Sequence, residues 1–241
     1  MRLSVIIPVF NEVDRILSVL EKVHQSPYSP TEVIIVDDGS FDGTQQLLQD
    51  YHHPACKVFF HAHNQGKGAA LRTGFQAVSD YIDVVLIQDA DLEYDPNQYP
   101  ELMAPFLEGK ADVVYGSRFM GGQPHRVVYF WHMLGNRVLT FLSNILTNLN
   151  LTDMETGFKV FKKSLLDQLD LQENGFGIEP ELTAQLARLH PKIYEVGIRY
   201  DGRTYAEGKK IRWTDGLYAL WAILKHNTPL RHLTPKRRKI S

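Results

Sequence analysis

The sequence predicts an α/β fold, a mostly parallel central sheet with helices on both faces. Three observations carry this. Short apolar, β-branched runs alternate with amphipathic segments of about ten or more residues. Polar and acidic clusters follow those runs at once, where ligands bind in parallel sheets. The composition, 44% hydrophobic and 22% charged over 241 residues, suits one large soluble domain. Residues 1–228 are read as that domain and 229–241 as a basic C-terminal tail.

The elements follow in order. Leu3–Val9 reads as a buried strand, followed by a helix from about Glu12 to His24. Glu32–Val36 is a second strand ending in Asp37-Asp38-Gly39-Ser40, and the next helix starts near Gly43 with Asp42 as N-cap. Lys57–Phe60 is a third strand. The glycine-rich loop Asn64–Gly68 leads into a helix from Ala69 to about Val78, and Asp83–Ile87 is the fourth strand. Pro96–Glu108 reads as helical despite Pro100 and Pro105, and Asp112–Tyr115 as a strand. From Arg126 to Asn148 apolar residues recur mostly every three or four positions, as one helix face requires. Lys159–Phe161 reads as a strand, Pro180–Leu189 as a helix, Ile193–Val196 as a strand and Trp213–Lys225 as an apolar closing helix.

Several classes lose support. A net charge of −2 suggests no nucleic-acid partner. Cys56 is the only cysteine, so no intramolecular disulfide forms, which fits a reducing compartment. No window reaches the ~20 apolar residues of a membrane span, so we expect a soluble or peripheral, cytoplasmic protein. There is no P-loop, and no G-x-G-x-x-G follows the first strand. His52-His53 and His61-x-His63 lack matched third and fourth ligands and read as surface histidines rather than a zinc site. The run Arg231–Lys239 reads as a solvated tail, although it also suits anionic lipid at roughly 1 kcal/mol per basic residue near the surface.

The acids after the fourth strand pose the main chemical question. Asp89-Ala90-Asp91 places two carboxylates on one side of an extended backbone, and Glu93 continues the row. Hard cations such as Mg²⁺ or Mn²⁺ take one or two carboxylates plus phosphate oxygens and water. The same acids also fit a solvated strand end. Asp38 suits a nucleobase or ribose, or simply a turn before Gly39. Gly66-Lys67-Gly68 suits close backbone approach to a ligand with Lys67 supplying charge, or a plain helix start.

Taken together, "SVIIPVFNE", "VDDGS", "NQGKGAA", "QDADLEYDP", "GSRF" and "RTYAEGKK" resemble family 2 glycosyltransferases of the GT-A fold. Within it the sequence most resembles the polyprenyl-phosphate hexosyltransferases, the dolichol-phosphate mannose synthase-like group. The resemblance spans about residues 3–225 and implies a nucleotide-sugar-binding domain. It implies that Pro8, Phe10, Glu12 and Asp38 hold the nucleoside of the donor. Asp89, Ala90 and Asp91 fall on the metal and diphosphate motif, with Glu93 at a position that also reaches the metal. Arg118 falls on a phosphate-binding arginine near the reaction centre. Arg203 and Lys209 fall on a mobile loop that closes over the donor.

The chemistry expected is inverting transfer of mannose or glucose from GDP-mannose or UDP-glucose, with a divalent cation, Arg203 and Lys209 stabilising the leaving diphosphate. A polyprenyl or dolichyl phosphate acceptor is already ionised and needs no base. A saccharide hydroxyl needs one, for which Glu179 and Glu181 are candidates, although both also suit an acidic helix start. Glu181 equally suits a sugar contact. The apolar stretch 126–148 fits a membrane surface, a membrane partner subunit, packing on the sheet or a homo-oligomer interface. A non-catalytic nucleotide-sugar-binding subunit is the alternative from another class.

Overall fold

A computed structural model describes residues 1–122, 124, 126–127, 129–204, 207 and 213–227. Lys209 and the 229–241 tail lie outside the described residues. Seven strands form one sheet: β1 (Leu3–Val9), β2 (Glu32–Asp37), β3 (Cys56–Phe60), β4 (Val84–Ile87), β5 (Val113–Ser117), β6 (Lys159–Lys162) and β7 (Ile193–Gly197). The helices are α1 (Ile16–Gln25), α2 (Thr44–Gln49), α3 (Lys67–Gln76), α4 (Tyr99–Leu107), α5 (Phe130–Thr147), α6 (Lys163–Leu166), α7 (Ile178–Arg188) and α8 (Trp213–Asn227).

The strand order is β3-β2-β1-β4-β6-β5-β7. All pairings are parallel except those of β6, which runs antiparallel between β4 and β5. The mostly parallel α/β expectation is borne out. Alternating side chains explain the continuous apolar runs. Leu3, Val5, Ile7 and Val9 of β1 enter a core with α1 and α4. Ile6, between them, enters a second core with α3 and α7. Both faces are covered, so both sets must be apolar.

Several boundaries differ from expectation, among them the starts of α3 (Lys67), α5 (Phe130) and α7 (Ile178). α1 starts at Ile16, because Asn11 takes a left-handed φ of 52° and 11–15 form turns. The segment after Asp95 begins as a 3-10 turn, Pro96–Gln98, capped by the Asp95 side chain on the Asn97 N–H. The short helix α6 was not foreseen in the sequence.

α5 is amphipathic in an unusual sense. Its fully buried residues are Thr140 and Ser143. Leu139 and Leu142 are partly buried against the second core, whereas Trp131 and Phe141 are 75% and 63% exposed. α8 packs beside α5 and leaves Leu217, Trp221 and Leu224 exposed as well. No helix among the described residues is long and apolar enough to cross a membrane.

Candidate active site

Parallel pairing brings the carboxyl ends of β1, β2 and β4 to one edge. The turns after β1 and β2 are stitched together there. The Asn11 N–H donates to Ser40 Oγ (2.8 Å), and Asn11 Oδ1 accepts from the Phe41 N–H (3.0 Å). The Glu12 N–H donates to Thr44 Oγ1 (3.0 Å). Pro8 and Phe10 are half-buried beside this seam, and Phe10 meets the exposed Phe41 ring edge-on at 5.9 Å.

Asp38 is buried, and its hydrogen bonds go inward. Its carboxylate accepts from the Gln65 N–H (3.0 Å) and the Gly66 N–H (2.7 Å), and pairs with His61 Nδ1 (2.6 Å). It therefore shapes the loop that carries Lys67, where the sequence suggested direct nucleoside contact. His61, expected as a surface residue, also pairs with Thr73 Oγ1 at 2.9 Å and is part of that brace. The glycines of this loop answer to the chain itself rather than to a ligand. Gly66 has a φ of +102°, and a Cβ at Gly66 or Gly68 would strike the backbone of 173–174. The Ala69 N–H donates to the Asn174 carbonyl there (3.0 Å).

β4 ends at Ile87, so strand alternation does not run through Asp91, and Leu92 turns the chain with a φ of 64°. The expected row of carboxylates is thereby split, and the acids meet different cations. Asp89 Oδ1 lies 2.8 Å from Lys67 Nζ, which also reaches Glu179 Oε1 at 3.0 Å. Glu179 Oε2 pairs with the fully buried Lys159 at 2.5 Å. Burial opposes charge in Glu179, but Lys159 and Lys67 outweigh it and lower the carboxyl. Likewise Asp89 and Glu179 raise Lys67 against its burial. Ala90, expected to touch substrate, packs its side chain into the first core.

Asp91 and Glu93 share one guanidinium. Arg203 Nη2 lies 2.8 Å from Asp91 Oδ2, and Nε lies 3.2 Å from Glu93 Oε1. Arg203 Nη1 is 3.7 Å from Glu12 Oε1. Glu93 also accepts from the Tyr200 hydroxyl (2.6 Å) and the Arg203 N–H (2.9 Å). Those bonds turn Glu93 toward the 200–204 segment, whereas the sequence suggested a metal ligand. Burial, then the Asp89 and Glu93 carboxylates, push Asp91 up to about 7 against the pull of Arg203.

Arg118 is held by a residue the sequence did not reveal. Asp153, fully buried, accepts from Arg118 Nε (2.7 Å), Nη2 (2.8 Å) and the backbone N–H (3.0 Å). The guanidinium lies 5.3 Å from the Tyr200 ring centroid. Burial would lower Arg118, but Asp153 raises it well above the ordinary value. Close by is Glu155, whose Oε1 is buried without a hydrogen-bond partner. Burial and the Glu179 carboxylate push this carboxyl up to about 7, with Lys159 and Arg118 opposing.

Glu181 points elsewhere. Fully buried, it accepts from the Gln172 N–H (2.9 Å), the Glu173 N–H (2.7 Å) and Gln185 Nε2 (3.0 Å). Two positions apart on a helix means about 200° of rotation, so Glu179 reaches the site and Glu181 braces the 172–174 loop. Neither its base role nor its substrate contact fits this placement. Glu173, in that loop, accepts from Lys225 (2.6 Å), pairs with His226 (2.8 Å) and accepts from Tyr218 (2.9 Å), all on α8.

Comparison with known proteins identifies the family and the fold. The profile of glycosyl transferase family 2 matches residues 4–170. An undecaprenyl-phosphate mannosyltransferase of Micrococcus luteus is 29% identical over 249 residues, covering 93% of this chain and 98% of that protein. A dolichol-phosphate mannosyltransferase of Pyrococcus furiosus is 27% identical, covering 88% of this chain and 61% of that one. Glucosyl-3-phosphoglycerate synthase of Mycobacterium tuberculosis, solved with Mn²⁺ and UDP-glucose, superposes with a TM-score of 0.71 at 21% identity, covering 94% of this chain and 79% of that chain. The sheet order is therefore that of a GT-A fold, and the chain, an enzyme, belongs to glycosyl transferase family 2.

Proposed function

We propose that the enzyme moves a hexose, mannose or glucose, from GDP-mannose or UDP-glucose to a polyprenyl or dolichyl phosphate, with inversion, at the cytoplasmic membrane face. The observation that carries this is the position of Arg118 at the foot of an exposed apolar helix. Arg137 of α5 lies 5.9 Å from the ring centroid of Phe119, the neighbour of Arg118. Thr140 of α5 accepts from the Met154 N–H (3.1 Å), next to the Asp153 that holds Arg118. A phosphate on the remaining Nη1 of Arg118 would have α5, with its exposed apolar side chains, beside it for its hydrocarbon chain. Burying such side chains in a lipid surface is worth roughly 1.5–3 kcal/mol each when complete. Similarity across nearly the whole length to an undecaprenyl-phosphate mannosyltransferase supports the same acceptor class.

The donor end is proposed on the carboxylate edge. Pro8, Phe10 and Glu12 border the nucleoside, while Asp38 holds the loop beneath it. The site accommodates a divalent cation: hard carboxylate oxygens are present, and two acids share one guanidinium among the described residues. Asp91, with Asp89 beside it, would hold Mg²⁺ or Mn²⁺, which supplies charge neutralisation for a leaving diphosphate. The Mn²⁺ bound by the solved glucosyl-3-phosphoglycerate synthase supports that reading. Arg203 exchanges its carboxylate partners for diphosphate oxygens, and Lys209 joins it. Arg118 orients the acceptor phosphate, whose ionised oxygen attacks without a base.

One observation favours a second reading, transfer to a saccharide hydroxyl. Glu155, raised to about 7, has a basicity suited to a general base near neutral pH. The test is a panel of GDP- and UDP-sugars with a short polyprenyl phosphate and Mg²⁺ or Mn²⁺. The expected outcome is a lipid-linked sugar cleaved by mild acid. Transfer only to saccharide acceptors, as an acid-stable glycoside, would refute the lipid reading.

A further inference from the structure

The sequence suggested that His52-His53 lack ligand partners. The fold supplies partners for His53 from elsewhere. His24 ends α1, Cys56 begins β3, and His53 sits in the loop between α2 and β3. All three lie at the edge of the sheet opposite the candidate active site. Their ligand atoms fall within 4.8 Å of one another, and no other three His, Cys, Asp or Glu side chains among the described residues converge this way.

We propose that His24, His53 and Cys56 form a binding site for a borderline-soft divalent cation of the zinc class. The donor set decides the class. Two imidazoles and a thiolate suit zinc, whereas Mg²⁺ and Mn²⁺ prefer carboxylate oxygens. The spacing also fits. Cys56 Sγ lies 3.4 Å from His24 Nε2, and tetrahedral zinc with ordinary bond lengths sets sulfur and nitrogen ligands about 3.5 Å apart. The His24 and His53 rings stack with centroids 3.7 Å apart, so one ring turns about its side-chain bonds before both aim at one point. His53 Nδ1 accepts from the Ala55 N–H at 3.2 Å, an exposed bond that water replaces when the ring turns to a metal.

The surroundings provide support and access. Tyr51 lines the same cleft as Cys56, within reach to serve as an outer-layer partner of a metal ligand. A surface cleft of about 620 Å³, lined by Leu48, His53, Cys56 and Val58 among others, opens onto the cluster. Three protein ligands leave a fourth position to water. A bound ion would tie the end of α1 to the start of an edge strand, and so stabilise the fold without touching the donor edge.

The test uses full-length, tag-free, chelator-stripped protein titrated with Co²⁺ in excess Mg²⁺. One equivalent of Co²⁺ should produce a near-ultraviolet thiolate-to-metal charge-transfer band, which carboxylates cannot give, and Zn²⁺ should displace it. Cys56→Ser should lose the band, and His24→Gln and His53→Gln should each weaken Zn²⁺ binding by at least about tenfold. Zn²⁺ should raise the Tm of the wild type but not of Cys56→Ser, and sugar transfer by Cys56→Ser should be unchanged. His53 is exposed, so its substitution leaves the fold intact. A folded wild type with no thiolate band would overturn the proposal. Zn²⁺ affinity unchanged in Cys56→Ser or in both histidine variants would do the same.

Discussion

Two charge clusters flank Asp-Ala-Asp, and they differ in how their charges are met. In the inner one, Asp89 and Glu179 face Lys67 and Lys159, two acids against two ammonium groups. All four come from β4, α3, α7 and β6 or their immediate ends. In the outer one, Asp91 and Glu93 share Arg203, delivered by a segment more than a hundred residues downstream. Both clusters are largely buried, yet Glu179 is lowered and Asp91 is raised. Burial alone therefore does not separate scaffold from working charge. The balance of partners does: Glu179 is met by two ammonium groups and belongs to the scaffold, whereas Asp91 is under-matched and is where a further cation fits, with Asp89 at its flank.

Substitutions can break this contrast. The largest effect is expected at Asp91. Asp91→Ala should cut transfer by at least about 10³-fold while leaving the circular dichroism spectrum intact. Unimpaired turnover would remove the outer cluster from catalysis. In the inner cluster the cost should appear as stability. Lys159→Met leaves the buried Glu179 with Lys67 alone and should lower the unfolding free energy by about 3 kcal/mol, read by urea denaturation. Next, Arg203→Ala should slow transfer about 100-fold with little change in Tm, since Tyr200 and the backbone of 201 and 203 still hold the segment to Glu93. Glu155→Gln sharpens the acceptor question. With a lipid phosphate acceptor the rate should change by less than about tenfold, whereas a hydroxyl acceptor that uses this base should lose about 100-fold or more.

The smallest effect is a pH dependence at Glu173. Burial opposes its charge, but Lys225, His226 and Tyr218 lower the carboxyl from 4.5 to about 2. A carboxyl lowered in the folded state adds stability above its unfolded value and loses it as pH falls through the folded one. Wild-type Tm should thus fall more steeply between pH 4.5 and 2 than that of Glu173→Gln.

The sheet was legible in the sequence because buried parallel strands cannot hide their apolar runs, as Ile6 and Ile7 illustrate on opposite faces. The acidic strand end was legible as a location. Its internal division was not, because the left-handed turn at Leu92 and the partner from 203 are tertiary facts. Lys159 and Asp153 read as ordinary charges, since nothing local signals a buried partner 20 or 35 residues away. Glu179 and Glu181 were indistinguishable until helix phase assigned one to the site and the other to a loop. The outward apolar face of α5 was visible as a stripe, but periodicity says only that a face exists, not what covers it.

The contact between the glycine loop and 173–174 has a mechanical consequence. Glu173 grips α8 with its side chain while its carbonyl lies where a Cβ on Gly68 would go. One methyl group at position 68 would therefore push on a helix across the molecule. Conversely, the segment 173–174 that carries the α8 contacts also braces the turn that aims Lys67 at Asp89. The outer surface and the donor edge thus share one short brace, residues 173–174.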